Sequence, residues 1–203
     1  MAHVNTLYAD IEDVKKALAI SVSDAQDDEL LDQIVESASR MIDEYTGQFF
    51  YSTAGTAYYT PQLNSIVETD PFTAITSIQT DEDGDGVYEI TWQVSDYYTQ
   101  PYNAAMFGKP YTAIQVAPDG DQAFSPSIPK NVKLIATFGW ASVPAAVKQA
   151  CIIAATTLYE GRKAPFGIVG SSEQGTVLRL SNRLHPEAAL LLEPYRLHDG
   201  VVA

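Results

Sequence analysis

The side chains best arranged for chemistry are the carboxylates of Asp81-Glu82-Asp83-Gly84-Asp85-Gly86. Acidic residues at alternate positions, with glycine at the sixth, match the front half of a calcium loop, where hard oxygens converge on the ion. The twelfth position, which in such a loop carries a bidentate Glu, is Trp92. Asp-Gly pairs between strands are also common hairpin chemistry, because both residues tolerate the backbone angles of tight turns. With half of the ligand pattern missing, the sequence favours a plain turn over a metal site. No cofactor and no metal centre are expected, and calcium binding by Asp81, Asp83 and Asp85 is left open.

The other candidates are weaker. His3, His185 and His198 lie far apart in sequence, near the termini or in polar segments, so they support neither a triad nor a zinc site. Gly167-Ile168-Val169-Gly170-Ser171-Ser172 resembles a phosphate loop but lacks its lysine and the preceding strand, and is expected to be a hinge. Cys151, the single cysteine, sits in a helical apolar run and is expected in a core or an interface. Tyr58, Tyr59, Tyr97, Tyr98, Tyr102 and Tyr111 suit either a stacking face or cross-strand and subunit packing; in a β region the second reading is preferred. No catalytic constellation emerges, and the chain is not expected to be an enzyme.

Periodicity defines the elements that would position these residues. Leu30, Leu31, Ile34, Val35, Ala38, Met41, Ile42 and Tyr45 form one stripe at helical spacing. Ser23 or Asp24 is expected to cap this helix, and Gly47 to stop it in the left-handed conformation. A shorter helix precedes it, so that helical structure covers about 9–47. A second long helix is expected at 143–161, apolar nearly all round and rich in alanine. That pattern suits a helix packed against both its own domain and a neighbouring subunit, or a central core helix within a monomer.

Between them, about 56–140 reads as strand and turn. Its β-branched and aromatic runs are 57–60, 75–80, 88–92, 113–116 and 132–138, with 81–86 as one hairpin turn. Residues 163–185 mix Gly, Ser and Pro with isolated basic side chains and are expected to form an extended arm, followed by a short helix from Pro186 to Leu192. The fold class is α+β: a helical body of two long and several short helices, a β-rich insertion, and a C-terminal arm. The domain division is 1–162, with the arm at 163–203. The helices at 9–47 and 143–161 are expected to pack together, because nothing else covers the first stripe.

Charge narrows the partners. The chain of 203 residues carries a formal net charge of −14. Residues 1–140 hold 21 acidic and 6 basic side chains, and residues 141–203 hold 5 and 6, so the acidity is confined to the first part. Tight nucleic-acid binding needs Lys and Arg to displace phosphate counterions, and this body offers the reverse. A surface that repels phosphate can nevertheless let DNA slide past. No apolar run reaches membrane-spanning length.

Several segments, taken in order, resemble the head–tail connector (adaptor) proteins of tailed bacteriophages. They are Asp10-Ile11-Glu12-Asp13-Val14-Lys15-Lys16-Ala17-Leu18, Asp27-Asp28-Glu29-Leu30-Leu31, Ala38-Ser39-Arg40-Met41-Ile42-Asp43 and Tyr45-Thr46-Gly47-Gln48-Phe49-Phe50. A further match runs from Val143-Pro144-Ala145-Ala146 through Leu158-Tyr159-Glu160-Gly161-Arg162. Asp96-Tyr97-Tyr98, Pro101-Tyr102-Asn103-Ala104 and Phe138-Gly139-Trp140 resemble members with a β insertion. The order of these segments carries the likeness, which covers most of 7–166.

The resemblance implies a non-enzymatic homo-oligomeric ring, usually twelvefold, beneath the portal protein and above a further neck or tail-completion protein. Genome DNA would pass through it without specific binding. Such a protein would reside at the head–tail junction of the virion, and in the host cytoplasm before assembly. Portal contact is expected through Arg162, Lys163, Phe166, Arg179, Arg183 and Tyr195, in the one region without acidic excess, since Arg and aromatic residues commonly anchor interfaces. The alternative is a calcium-stabilised β-rich binding or adhesion module.

Overall fold

The computed structural model describes residues 6–162, the backbone of 168–169 and 178–179, and residues 184–197. The chain divides into two compact units, one from residues 3–50 and 143–203, the other from residues 51–142. The first is helical and the second is a sheet, so the class is α+β.

In the helical unit, α1 spans Ile11–Ala17, α2 Asp28–Thr46, α3 Ala145–Gly161 and α4 Pro186–Leu192. The apolar stripe of α2 turns inward: Leu31, Val35, Ala38 and Ile42 are fully buried. They pack against α3, whose Ala150, Cys151, Ala154 and Ala155 are also buried. Ala150, Ala154 and Ala155 therefore serve close helix approach inside the unit, while Ala145, at the start of α3, is exposed. Gly47 ends α2 at φ 72°, the left-handed angle glycine adopts without a Cβ penalty.

The start of α2 differs from expectation. The residue before it is Asp27, not Ser23 or Asp24, and no side chain caps the helix. Asp27 has other partners, as its carboxylate accepts from Tyr159 Oη at 2.5 Å and pairs with Arg162 at 2.9 Å. The turn before it is held instead by buried Lys15, whose Nζ donates to the carbonyls of Asp24 at 2.7 Å and Val22 at 3.3 Å and pairs with Asp28.

The sheet unit contains β1 (Ser52–Tyr59), β2 (Ile66–Thr80), β3 (Ile90–Thr91), β4 (Tyr97–Gln100), β5 (Tyr111–Val116) and β6 (Val132–Gly139). All pairings are antiparallel, in the order β1-β6-β2-β5-β4, with β3 on the far end of β2. β2 is unusually long and contains Pro71, which cannot donate to a ladder. The proline sits between the paired positions Glu68 and Phe72, where the register with β5 shifts. Beyond that shift β2 continues along β6. Val132, Leu134, Ala136 and Phe138 of β6 alternate inward with period two, over a core that includes Val67, Phe72, Ile78 and Ile114. Trp92 stacks on Phe124 with ring centroids 4.6 Å apart, and its Nε1 donates to Thr80 Oγ1 at 3.1 Å.

Of the arm expected at 163–185, the described backbone contains β7 (Ile168–Val169) and β8 (Leu178–Arg179), paired antiparallel. The Gly167–Ser172 hinge otherwise lies outside the described residues.

Candidate functional site

The acidic segment connects β2 to β3, and its geometry is that of a hydrogen-bonded turn. Asp81 Oδ1 accepts from Gly84 N at 2.6 Å and its Oδ2 from Gly86 N at 2.8 Å. Gly84 and Gly86 adopt φ of 82° and 89°. Asp83 accepts from Asp85 N, and Asp85 from Val87 N. Burial pushes the Asp81 carboxyl up, but the Gly84 and Gly86 N–H donors outweigh it and hold the group below the usual carboxylate range. The carboxylates of Asp81, Asp83 and Asp85 have oxygens within 4.8 Å of one another. Both Asp81 oxygens, however, are already committed to backbone donors.

Elsewhere the polar groups are structural. His185 precedes α4, where its Nδ1 accepts from Glu187 N at 3.3 Å; His3 and His198 lie outside the described residues. Cys151 is fully buried, 3.6 Å from Ser39 Oγ, and desolvation raises its thiol to about 11, away from nucleophilic reactivity. The densest polar network joins the segment before α1 to the end of α2. Tyr8 Oη donates to Asp43 and accepts from Phe50 N at 2.9 Å. Arg40 pairs with Asp43 at 3.1 Å and donates to Thr6 O at 2.8 Å. Desolvation is the largest influence on both Tyr8 and Asp43, and pushes both pKa values up.

The tyrosines do not form one face. Tyr58 packs on Tyr88, Tyr111 on Phe72, and Tyr98 edge-on to Tyr102, while Tyr59 Oη donates to Asp70 at 2.9 Å.

The expected portal contacts are distributed as follows. Arg162 lies over the Tyr159 ring at 4.0 Å while paired with Asp27. Tyr195 is half-buried edge-on to Phe50, with centroids 5.8 Å apart, and its carbonyl accepts from Gln48. These two belong to the helical unit's own packing as well as to its surface. Arg179 is placed by its backbone in β8. Lys163, Phe166 and Arg183 lie outside the described residues.

The sequence reading overlooked the turn between β4 and β5. Its short helical turn, Ala104–Phe107, is closed by Gly108 at φ 63° and displays Met106 and Phe107 to solvent. A readable signal was present: Tyr97 to Pro118 contains no Asp or Glu and a single Lys109.

The segment from α1 through β2 decides the relationship to known proteins. Residues 8–80 match the family of phage gp6-like head-tail connector proteins. The resemblance to connectors seen in the sequence is thus borne out, over a stretch that enters both units. In fold, the chain is similar to a protein in the neck of an empty gene transfer agent particle, computed with C6 symmetry. The TM-score is 0.60 at 17% identity, covering 100% of this chain and 96% of the other. A chain from the neck of the native particle, computed with C12 symmetry, gives 0.56 at 19% identity with the same coverage. One from the virion of the native particle gives 0.55 at 16% identity, again over 100% and 96%. No curated protein matches in sequence. Among the described residues, no helix is long and apolar enough to cross a membrane.

Proposed function

We propose that this chain is a structural neck protein of a phage-type particle. It acts without catalysis, as a ring of identical copies at the head–tail junction, joining portal to tail and surrounding the passage for the genome. The observation that carries this reading is the connector match over α1, α2, β1 and β2, supported by fold similarity to neck proteins along the whole chain. Twelve copies are the expected number, since one similar neck was computed with C12 symmetry. The acidic first 140 residues suit a wall along which DNA slides without adhering. Electron microscopy of the purified protein, alone and with portal, tests the ring. Particles with a central hole are expected; a protein monomeric under both conditions refutes it.

The portal contact is assigned to the C-terminal region, through Arg162, Lys163, Phe166, Arg179, Arg183 and Tyr195. Support comes from charge, because residues 141–203 taken together carry 5 acidic and 6 basic side chains, against 21 and 6 in residues 1–140. Because α4 packs on α3 and buries Ala188 and Leu192, the test keeps it: replacing Lys163, Phe166, Arg179 and Arg183 together by alanine is expected to leave the helical unit folded and to abolish co-purification with portal. Retained portal binding by that folded variant refutes this assignment. Tyr195→Ala serves as a milder check, since it removes one aromatic anchor and keeps the charge.

A further inference from the structure

The sheet has two open edges. β1 pairs only with β6 and β4 only with β5 among the described residues, so each presents one free row of N–H and C=O groups. Natural sheets protect such edges with charges, prolines or bulges, because an open edge recruits other chains. β1 has none of these: Ser52–Tyr59 contains no charged residue and no proline, and its register with β6 is unbroken over all eight residues. Carboxylates are absent from Tyr51 to Val67 and from Tyr97 to Pro118, in a chain carrying net −14. At the end of β1, the nearby Asp70 carboxylate is engaged by Tyr59 Oη.

The β4 edge also carries an apolar knob. Met106 is 82% exposed, Phe107 70%, Tyr102 59% and Tyr98 47%. The turn that holds them is tightly bonded: Ala104 N to Pro101 O at 3.0 Å, Met106 N to Asn103 O at 3.1 Å and Lys109 N to Ala104 O at 3.0 Å. Gln115 Oε1 accepts from Tyr102 Oη at 3.0 Å and from Gln100 Nε2. A rigid turn that shows Met and Phe to water has the form of a preorganised contact, which loses little entropy on docking.

We propose that copies of this chain join head to tail through these edges, the β4 edge and its 101–109 turn on one copy meeting β1 of the next. Charge selects a second copy as the occupant. Two copies of net −14 repel where carboxylates meet, as they would across the acidic 81–89 segment, whereas these edges are neutral or, at Lys109, positive. Topology selects a ring, because two different contact faces on one subunit generate a closed cycle when the rotation closes. The inference rests on the ring reading above and specifies its contact.

The test is sedimentation velocity of the full chain and two sets of variants. Met106→Glu with Phe107→Glu, and separately Thr56→Glu, are expected to keep the monomer's melting temperature and lower the ring fraction by about tenfold or more, as loss of an interface anchor does. Wild-type and variant rings of equal yield overturn the edge contact while leaving the ring reading standing. A wild-type protein that forms no ring, alone or with portal, overturns both. Rings that form normally but lose another neck protein assign the knob to that protein and overturn the inference. Should the glutamate variants unfold, Phe107→Cys and Thr56→Cys chains carry the test with a bis-maleimide cross-linker, since Cys151 is buried. Cross-linked dimers are expected when the two are mixed; dimers of Phe107→Cys alone mean a two-fold contact and refute the head-to-tail arrangement.

Discussion

Single side chains here act mainly as fasteners. Tyr8 Oη bridges the Asp43 carboxylate, which Arg40 also engages, and the Phe50 N–H, so Tyr8→Phe removes one hydrogen bond from each. Each such bond contributes about 0.5–1.5 kcal/mol, and a loss of about 1–3 kcal/mol is expected from urea denaturation. Asp81 gives a pH signature. Its folded pKa lies below its unfolded value, so its stabilisation is present above about pH 4 and is lost as pH falls through the depressed folded value. The Gly84 and Gly86 amides are expected to gain exchange and shift in that acid window. Amides that stay unchanged down to acid unfolding would show that the carboxylate does not hold the turn. Asp81→Asn is expected to free one of the two glycine amides at neutral pH, because the side-chain NH2 cannot accept.

Among the elements, the α2–α3 seam sets the tightest tolerance. Cys151 lies against Ser39 with no exposed surface, so Cys151→Leu overpacks the seam and is expected to cost about 1–3 kcal/mol. Leu158→Ala, on the exposed side of α3, is expected to change stability by less than about 0.5 kcal/mol. Equal losses from both would mean that α3 packs by a different face. The seam was legible in the sequence because a helix repeats every 3.6 residues, and a stripe from Leu31 to Ile42 must be covered by something. Strand runs were legible too, wherever β-branched residues alternate, as in β6. β4 was missed, since Tyr97-Tyr98-Thr99-Gln100 is too short to show a period. The first half of β2 was hidden by Pro71, whose tolerance depends on a register shift that no local pattern announces. The start of α2 was misplaced because Asp27 is drawn to Tyr159 and Arg162, more than a hundred residues away. Of the residues proposed for portal contact, Arg162 and Tyr195 show how packing adds to what composition suggests: each already has a partner within its own unit.

At the scale of the whole molecule, net charge bears on the proposed assembly. In the proposed ring every copy brings net −14, and mutual repulsion is screened at ionic strengths above about 0.1 M. Assembly is therefore expected to strengthen with salt in sedimentation experiments; weakening with salt would show that ion pairs across the contact dominate. One pairing bears on how such a chain could have arisen. Ser52 and Gly139 are register partners, so the strands on which the chain enters and leaves the sheet run side by side, with Cα atoms only about 5 Å apart. An inserted segment whose ends adjoin demands almost no rearrangement of its host. The sheet thus has the makings of a removable cassette: a chain in which a short linker replaces 52–139 is expected to retain the α2–α3 helical signal by circular dichroism. The helical unit is then a chassis that holds its form whatever outfitting is mounted between 52 and 139.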